Sequence, residues 1–157
     1  MAGSSGYVYT IRMAPVAVTA IKTLIQVKAG AARLDIIAAR VYQITKTSSE
    51  MLAIQILHKT VAATVTSATP LPDIVGGTAS LAVGGTTATG TNASAEGTDG
   101  NVVDEGVWNI LNGEYNILYI PEMRKPVPQG GIAALKLNTA PAASMTIGAI
   151  LTIIEYA

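Results

Sequence analysis

With 157 residues, the chain is bounded to one domain that is long enough to bury a core without staples. Ten basic and ten acidic residues give a net charge of zero, so no global field draws it toward nucleic acid or an anionic membrane. The absence of cysteine excludes disulfides, thiol nucleophiles and thiolate metal sites together.

Half of the residues are hydrophobic, yet Phe is absent and there is one Trp, so the core must be aliphatic. Charged residues make up 13%, against the roughly 25% of typical soluble domains. A lone monomer has too few ionisable side chains to dress its surface, and exposed apolar patches mark interaction sites. A coat of Thr, Ser, Gly and Ala is the competing explanation. We favour the first, because interface cores are depleted in charge. The opening segment, Met1 to Gly6, lacks the basic and apolar regions of a signal peptide and is expected to be a flexible N-terminus.

In chain order, Tyr7 to Met13 is rich in β-branched and aromatic types and predicts a short strand closed by Pro15. Val16 to Lys28 reads the same way and ends at Gly30. Arg33 to Lys46 fits neither a strict period of two nor a helical period, and a bulged strand accounts for it best. Met51 to Lys59 alternates, with Leu52, Ile54 and Ile56 on one face and Ala53, Gln55, Leu57 and Lys59 on the other.

From Thr66 to Asn101 the composition shifts to Thr, Ala, Gly, Ser and Pro, which predicts a long excursion with one weak strand around Ala79 to Val83. Val102 to Leu111 resumes strand character. Asn112-Gly113 then signals a hairpin with Tyr115 to Ile120 as the returning strand. Arg124 to Gly131 is a Pro/Gly loop, and Ile132 to Asn138 alternates again. In the last strand, Ser144 to Glu155, Met145, Ile147, Ala149, Leu151 and Ile153 face one way, while the other face still carries Ile150 and Ile154. About eight strands with no long amphipathic helix point to an all-β antiparallel sandwich, with a jelly roll as the leading topology.

Chemistry is sparse. His58 is the single histidine and, without cysteine or a second histidine, is read as structural. Glu96, Asp99, Asp104 and Glu105 surround Gly97 and Gly100 in a loose oxygen-rich loop, but the spacing is not that of an EF-hand, and a solvated turn explains it. No metal, cofactor or catalytic residue is therefore assigned. Trp108, Tyr115 and Tyr119 are the aromatic candidates for stacking on a glycan. Candidate contact residues are Ile150, Ile154 and Tyr156 on the last strand, with Arg124 and Lys125 in the charged loop.

The runs Leu52-Ala-Ile-Gln-Ile-Leu-His-Lys-Thr60, Asn92-Ala-Ser-Ala-Glu-Gly-Thr-Asp-Gly100, Gly130-Gly-Ile-Ala-Ala-Leu-Lys-Leu137 and Thr139-Ala-Pro-Ala-Ala-Ser-Met-Thr-Ile147 resemble small structural proteins encoded beside the major capsid protein in tailed-phage genomes. That resemblance implies a capsid decoration, or cement, protein: a compact β domain, often a homotrimer, that sits on the outer capsid and bridges major capsid protein subunits. It also implies assembly in the host cytoplasm and no catalysis. A phage fibre or neck domain that binds a receptor or glycan is the alternative.

Overall fold

The structure is a computed structural model and describes residues 6–156. Apart from Gly6, the expected flexible N-terminus lies outside the described residues. Strands β1 (Tyr7–Val18), β2 (Lys22–Lys28), β3 (Arg33–Gln43) and β4 (Met51–Val61) open the fold. Three short strands follow, β5 (Thr64–Ser67), β6 (Leu71–Pro72) and β7 (Gly90–Ala95). Then come β8 (Thr98–Asn109), β9 (Tyr115–Leu118), a 3-10 turn at Pro121–Met123, β10 (Lys125–Val127), β11 (Ile132–Leu137) and β12 (Met145–Tyr156).

All strand pairs are antiparallel, in two sheets. Sheet A runs β10-β3-β12-β1-β6, with β9 also beside β3, and sheet B runs β5-β7-β2-β11-β4-β8. Within them β1 pairs with β12, β2 with β11, β3 with β9 and β4 with β8. First meets last and second meets second-to-last, as in a long hairpin wound into two sheets. This is the eight-stranded jelly roll. The remaining four strands are short additions to its edges.

The core lies between the inner faces. Sheet A contributes Ile11, Met13, Ile36, Val41, Leu151 and Ile153, and sheet B contributes Ile25, Val27, Ile54, Ile56, Leu135 and Leu137. Each such side chain, fully removed from water, contributes about 1.5–3 kcal/mol. The alternation in β4, β11 and β12 therefore sets the inward face, and slipping any of them by one residue would turn that face outward.

Four expectations need correction. Pro15 does not close the first strand: β1 continues to Val18 through a register shift between Met13 and Val16, where a bulge accommodates the missing N–H. Asn112-Gly113 does form a turn, with Gly113 at φ +91, but no hairpin. β8 belongs to sheet B and β9 to sheet A, so the turn carries the chain between sheets. The Thr66 to Asn101 segment is not a loop throughout, because β6, β7 and the start of β8 lie within it. Ala79 to Val83 is no strand. It plugs one end of the sandwich, where Ser80 Oγ (2.5 Å) and Leu81 N (2.9 Å) donate to the Glu155 carboxylate and Val83 N donates to the Lys28 carbonyl (2.9 Å). The bulge expected in Arg33 to Lys46 is present in β3, where its register with β12 shifts between Thr152 and Ile153.

Candidate interaction surface

The two outer faces of the sandwich differ. The outer face of sheet B is covered by the chain itself. β4 with β8, and then β5 with β7, form one long ribbon whose register runs through Val61↔Thr98 to Thr64↔Ala95, and its far end folds back over the sheet. The bend falls at Gly97, φ +67, where a Cβ would run into the Val61 and Ala62 carbonyl oxygens.

Polar side chains hold the ribbon down. Gln26 Nε2 donates to the Ala88 carbonyl at 2.6 Å, and Gln26 Oε1 accepts from Ala63 N at 2.8 Å. Thr23 N and Oγ1 both donate to Glu96, at 2.8 and 2.7 Å. Lys59, whose side chain is 0% exposed, donates to the Glu96 carbonyl at 2.6 Å and to Asp99 Oδ1 at 2.7 Å, while Lys136 donates to Asp99 Oδ2. Burial works against the charged form of Asp99, but the hydrogen bonds and charges of Lys136 and Lys59 outweigh it and hold its carboxyl below the ordinary range. Two buried cations meet two carboxylates, as burial of charge requires.

This lock is the feature the sequence reading missed. The signal was present, since Lys59 and Lys136 both interrupt apolar runs and Glu96 and Asp99 are the acidic residues of the ribbon bend. The four carboxylates of the oxygen-rich loop do not converge on one point. Glu96 and Asp99 face the two lysines, Asp104 accepts from the Tyr119 hydroxyl, and Glu105 accepts from Gln55 Nε2 at 3.2 Å. Burial, followed by the hydrogen bond and charge of Asp104, pushes the Tyr119 hydroxyl far above its usual value.

No part of the chain covers the outer face of sheet A among the described residues. Register places Leu71, Thr10, Thr152, Ala38 and Leu118 in one row across it, with Val8 beside Ile154 on one side and Arg12, Ile150 and Arg40 on the other. Ile150 and Ile154 are half-buried, whereas Leu118 is 77% and Leu71 65% exposed. Arg40 is neutralised by Glu114 at 2.7 Å. The face is a flat band of aliphatic and threonine side chains, suited to burial against another protein and lacking the convergent ionisable groups of an active site.

Four of the five candidate contact residues meet on this face or its rim. Ile150, Ile154 and Tyr156 share the outward side of β12, and Tyr156 Oη accepts from Arg124 Nη1 at 3.3 Å and donates to Asp35 at 3.0 Å. Arg33 pairs with Asp35 at 3.0 Å and stacks over the Tyr156 ring. Lys125 instead turns to the flank, 4.8 Å above the Tyr119 ring. His58 Nε2 lies 3.2 Å from the Pro126 carbonyl oxygen and ties β4 to β10. Trp108 and Tyr119 are buried in the core and Tyr115 packs against it, so these rings offer no open stacking platform.

No protein-family model matches the chain, and no curated protein matches it. Among solved structures, a chain of the structure of infectious bursal disease virus Gx strain is similar over 96% of this chain and 41% of that one, at 15% identity and a TM-score of 0.26. This chain thus spans less than half the length of the one it resembles.

Proposed function

We propose that this chain is a structural virion protein of the decoration type, which binds the outer capsid through the bare face of sheet A and bridges neighbouring major capsid protein subunits. One observation carries the reading. The same chain that seals one sheet with its own ribbon and a buried ion-pair lock leaves the other sheet as an uncovered aliphatic band. In a sequence with 13% charged residues, that band is the place where burial against a partner stabilises most. On a symmetric shell, many modest contacts add through high effective concentration, so no single contact has to be strong.

Co-sedimentation of the purified chain with shells assembled from the neighbouring major capsid protein tests this. Binding that saturates at a fixed ratio to capsid subunits, together with a higher shell disassembly temperature, is the expected result. A chain that stays in the supernatant at tens of micromolar would refute the reading.

A further inference from the structure

The sandwich has two flanks, and they too differ. On one, the edges of β1 and β2 are met by the chain's own β6 and β7. On the other, the edges of sheet B at β8 and of sheet A at β9 end without a further strand among the described residues.

Natural edge strands are blunted by bulges, prolines or lysines. The register irregularities of β8 all lie in its first half, opposite Ile56 to Val61, and from Asp104 to Asn109 its pairing with β4 is regular. That second half contains no Lys, Arg or Pro. Val107 is 63% exposed on it, and Leu118, Ile120 and Met123 are exposed beside it. A regular, unprotected edge with apolar neighbours is a template for strand or side-chain docking.

Charge selects the occupant. No Lys or Arg occurs from Thr60 through Met123, and Asp104 and Glu105 on β8 are in no ion pair among the described residues. On the opposite flank, Arg12 on β1 and Lys22 and Lys28 on β2 are likewise in no ion pair there. A two-fold contact of β8 with its own copy would set acid against acid, whereas a head-to-tail contact sets acid against base.

We infer that copies of this chain associate head to tail, the β8–β9 flank of one against the Arg12 and Lys28 flank of the next. The inference rests on the assembly reading above for its partner, a second copy. Such an interface generates a ring where the rotation closes, and the homotrimer implied by the sequence resemblance is one such ring.

Sedimentation velocity on the full chain tests it with two double variants, Glu105→Lys/Val107→Lys on the edge and Arg12→Glu/Lys28→Glu on the far flank. The wild type is expected to be a closed oligomer and each variant a monomer. An equimolar mixture of the two variants should give a species of two chains, because one intact flank of each kind remains. Circular dichroism melts confirm that each variant folds, and Glu105→Gln/Val107→Thr serves as a milder edge variant that must also weaken assembly. A monomeric wild type, variants that fold and still assemble, or monomeric variants whose mixture yields no two-chain species would each overturn the head-to-tail contact. Capsid co-sedimentation of a monomeric wild type would still succeed if the decoration reading holds, so the two failures are separable.

Discussion

Lys59 Nζ and Asp99 Oδ1 lie 2.7 Å apart across the end of β4 and the start of β8, with the lysine side chain wholly withdrawn from water. The same carboxylate takes the ammonium of Lys136 from β11, so one aspartate ties three strands of sheet B to the bend of the ribbon that covers them.

Replacing Asp99 by Ala leaves two ammonium groups with only the more distant Glu96 carboxylate, 4.0 Å from Lys59 and 3.9 Å from Lys136. Breaking a buried pair by removing one partner costs about 3 kcal/mol. Urea titration of Asp99→Ala should show a loss of that order, and a midpoint equal to wild type would mean that the lock contributes nothing.

The same lock sets the acid limit. The folded-state carboxyl of Asp99 is held below its ordinary value, so its contribution is present above about pH 4, the unfolded-state region, and fades as pH falls through the folded value. At the alkaline end, Tyr9, Tyr115 and Tyr119 are all raised, chiefly by burial, so their contribution is complete below about pH 10 and is lost above it. Melting temperature against pH should therefore fall at both ends, and tyrosinate absorbance should rise together with unfolding. Asp99→Asn should flatten the acid limb alone.

Gly97 and Gly76 separate backbone strain from collision. Both have positive φ, +67 and +75, but a Cβ at Gly97 meets two backbone carbonyls, whereas one at Gly76 meets nothing within 4 Å. Gly76→Ala should cost about 1–2 kcal/mol, the left-handed penalty alone. Gly97→Ala should cost clearly more in the same thermal melts.

Gln26 is fully buried and satisfies Ala63 N and the Ala63 and Ala88 carbonyls. Truncation to Ala leaves those groups unpaired, at about 1–3 kcal/mol for each. Hydrogen exchange at the Ala63 amide should accelerate by at least tenfold in Gln26→Ala, with the β1–β12 ladder unchanged.

Period-two patterning in β4, β11 and β12 was legible because their large aliphatic side chains leave no doubt about which face is inward. Those strands, together with the turn chemistry, suffice for an antiparallel sandwich. The Asn112-Gly113 turn misled because its residues specify local φ and not which sheet receives the next strand. β5 and β7 were invisible because residues such as Thr64, Gly90 and Ala93 bury little apolar area. They are strands through backbone pairing and the Gln26 and Lys59 contacts, all of them distant in sequence. Ile150 and Ile154 were readable as outward because alternation fixes their direction. That nothing of the chain covers them emerges only from the path of the excursion, which goes to the other sheet.

The bare face of sheet A is most directly tested by placing charge on it. Ile150→Lys/Ile154→Lys, both half-exposed positions, should fold with a melting temperature near that of wild type yet bind capsid shells at least tenfold more weakly in quantitative co-sedimentation, while the same two charges placed at exposed Val75 and Thr98 on the excursion leave binding intact. Undiminished binding by a folded Ile150→Lys/Ile154→Lys variant would contradict the account.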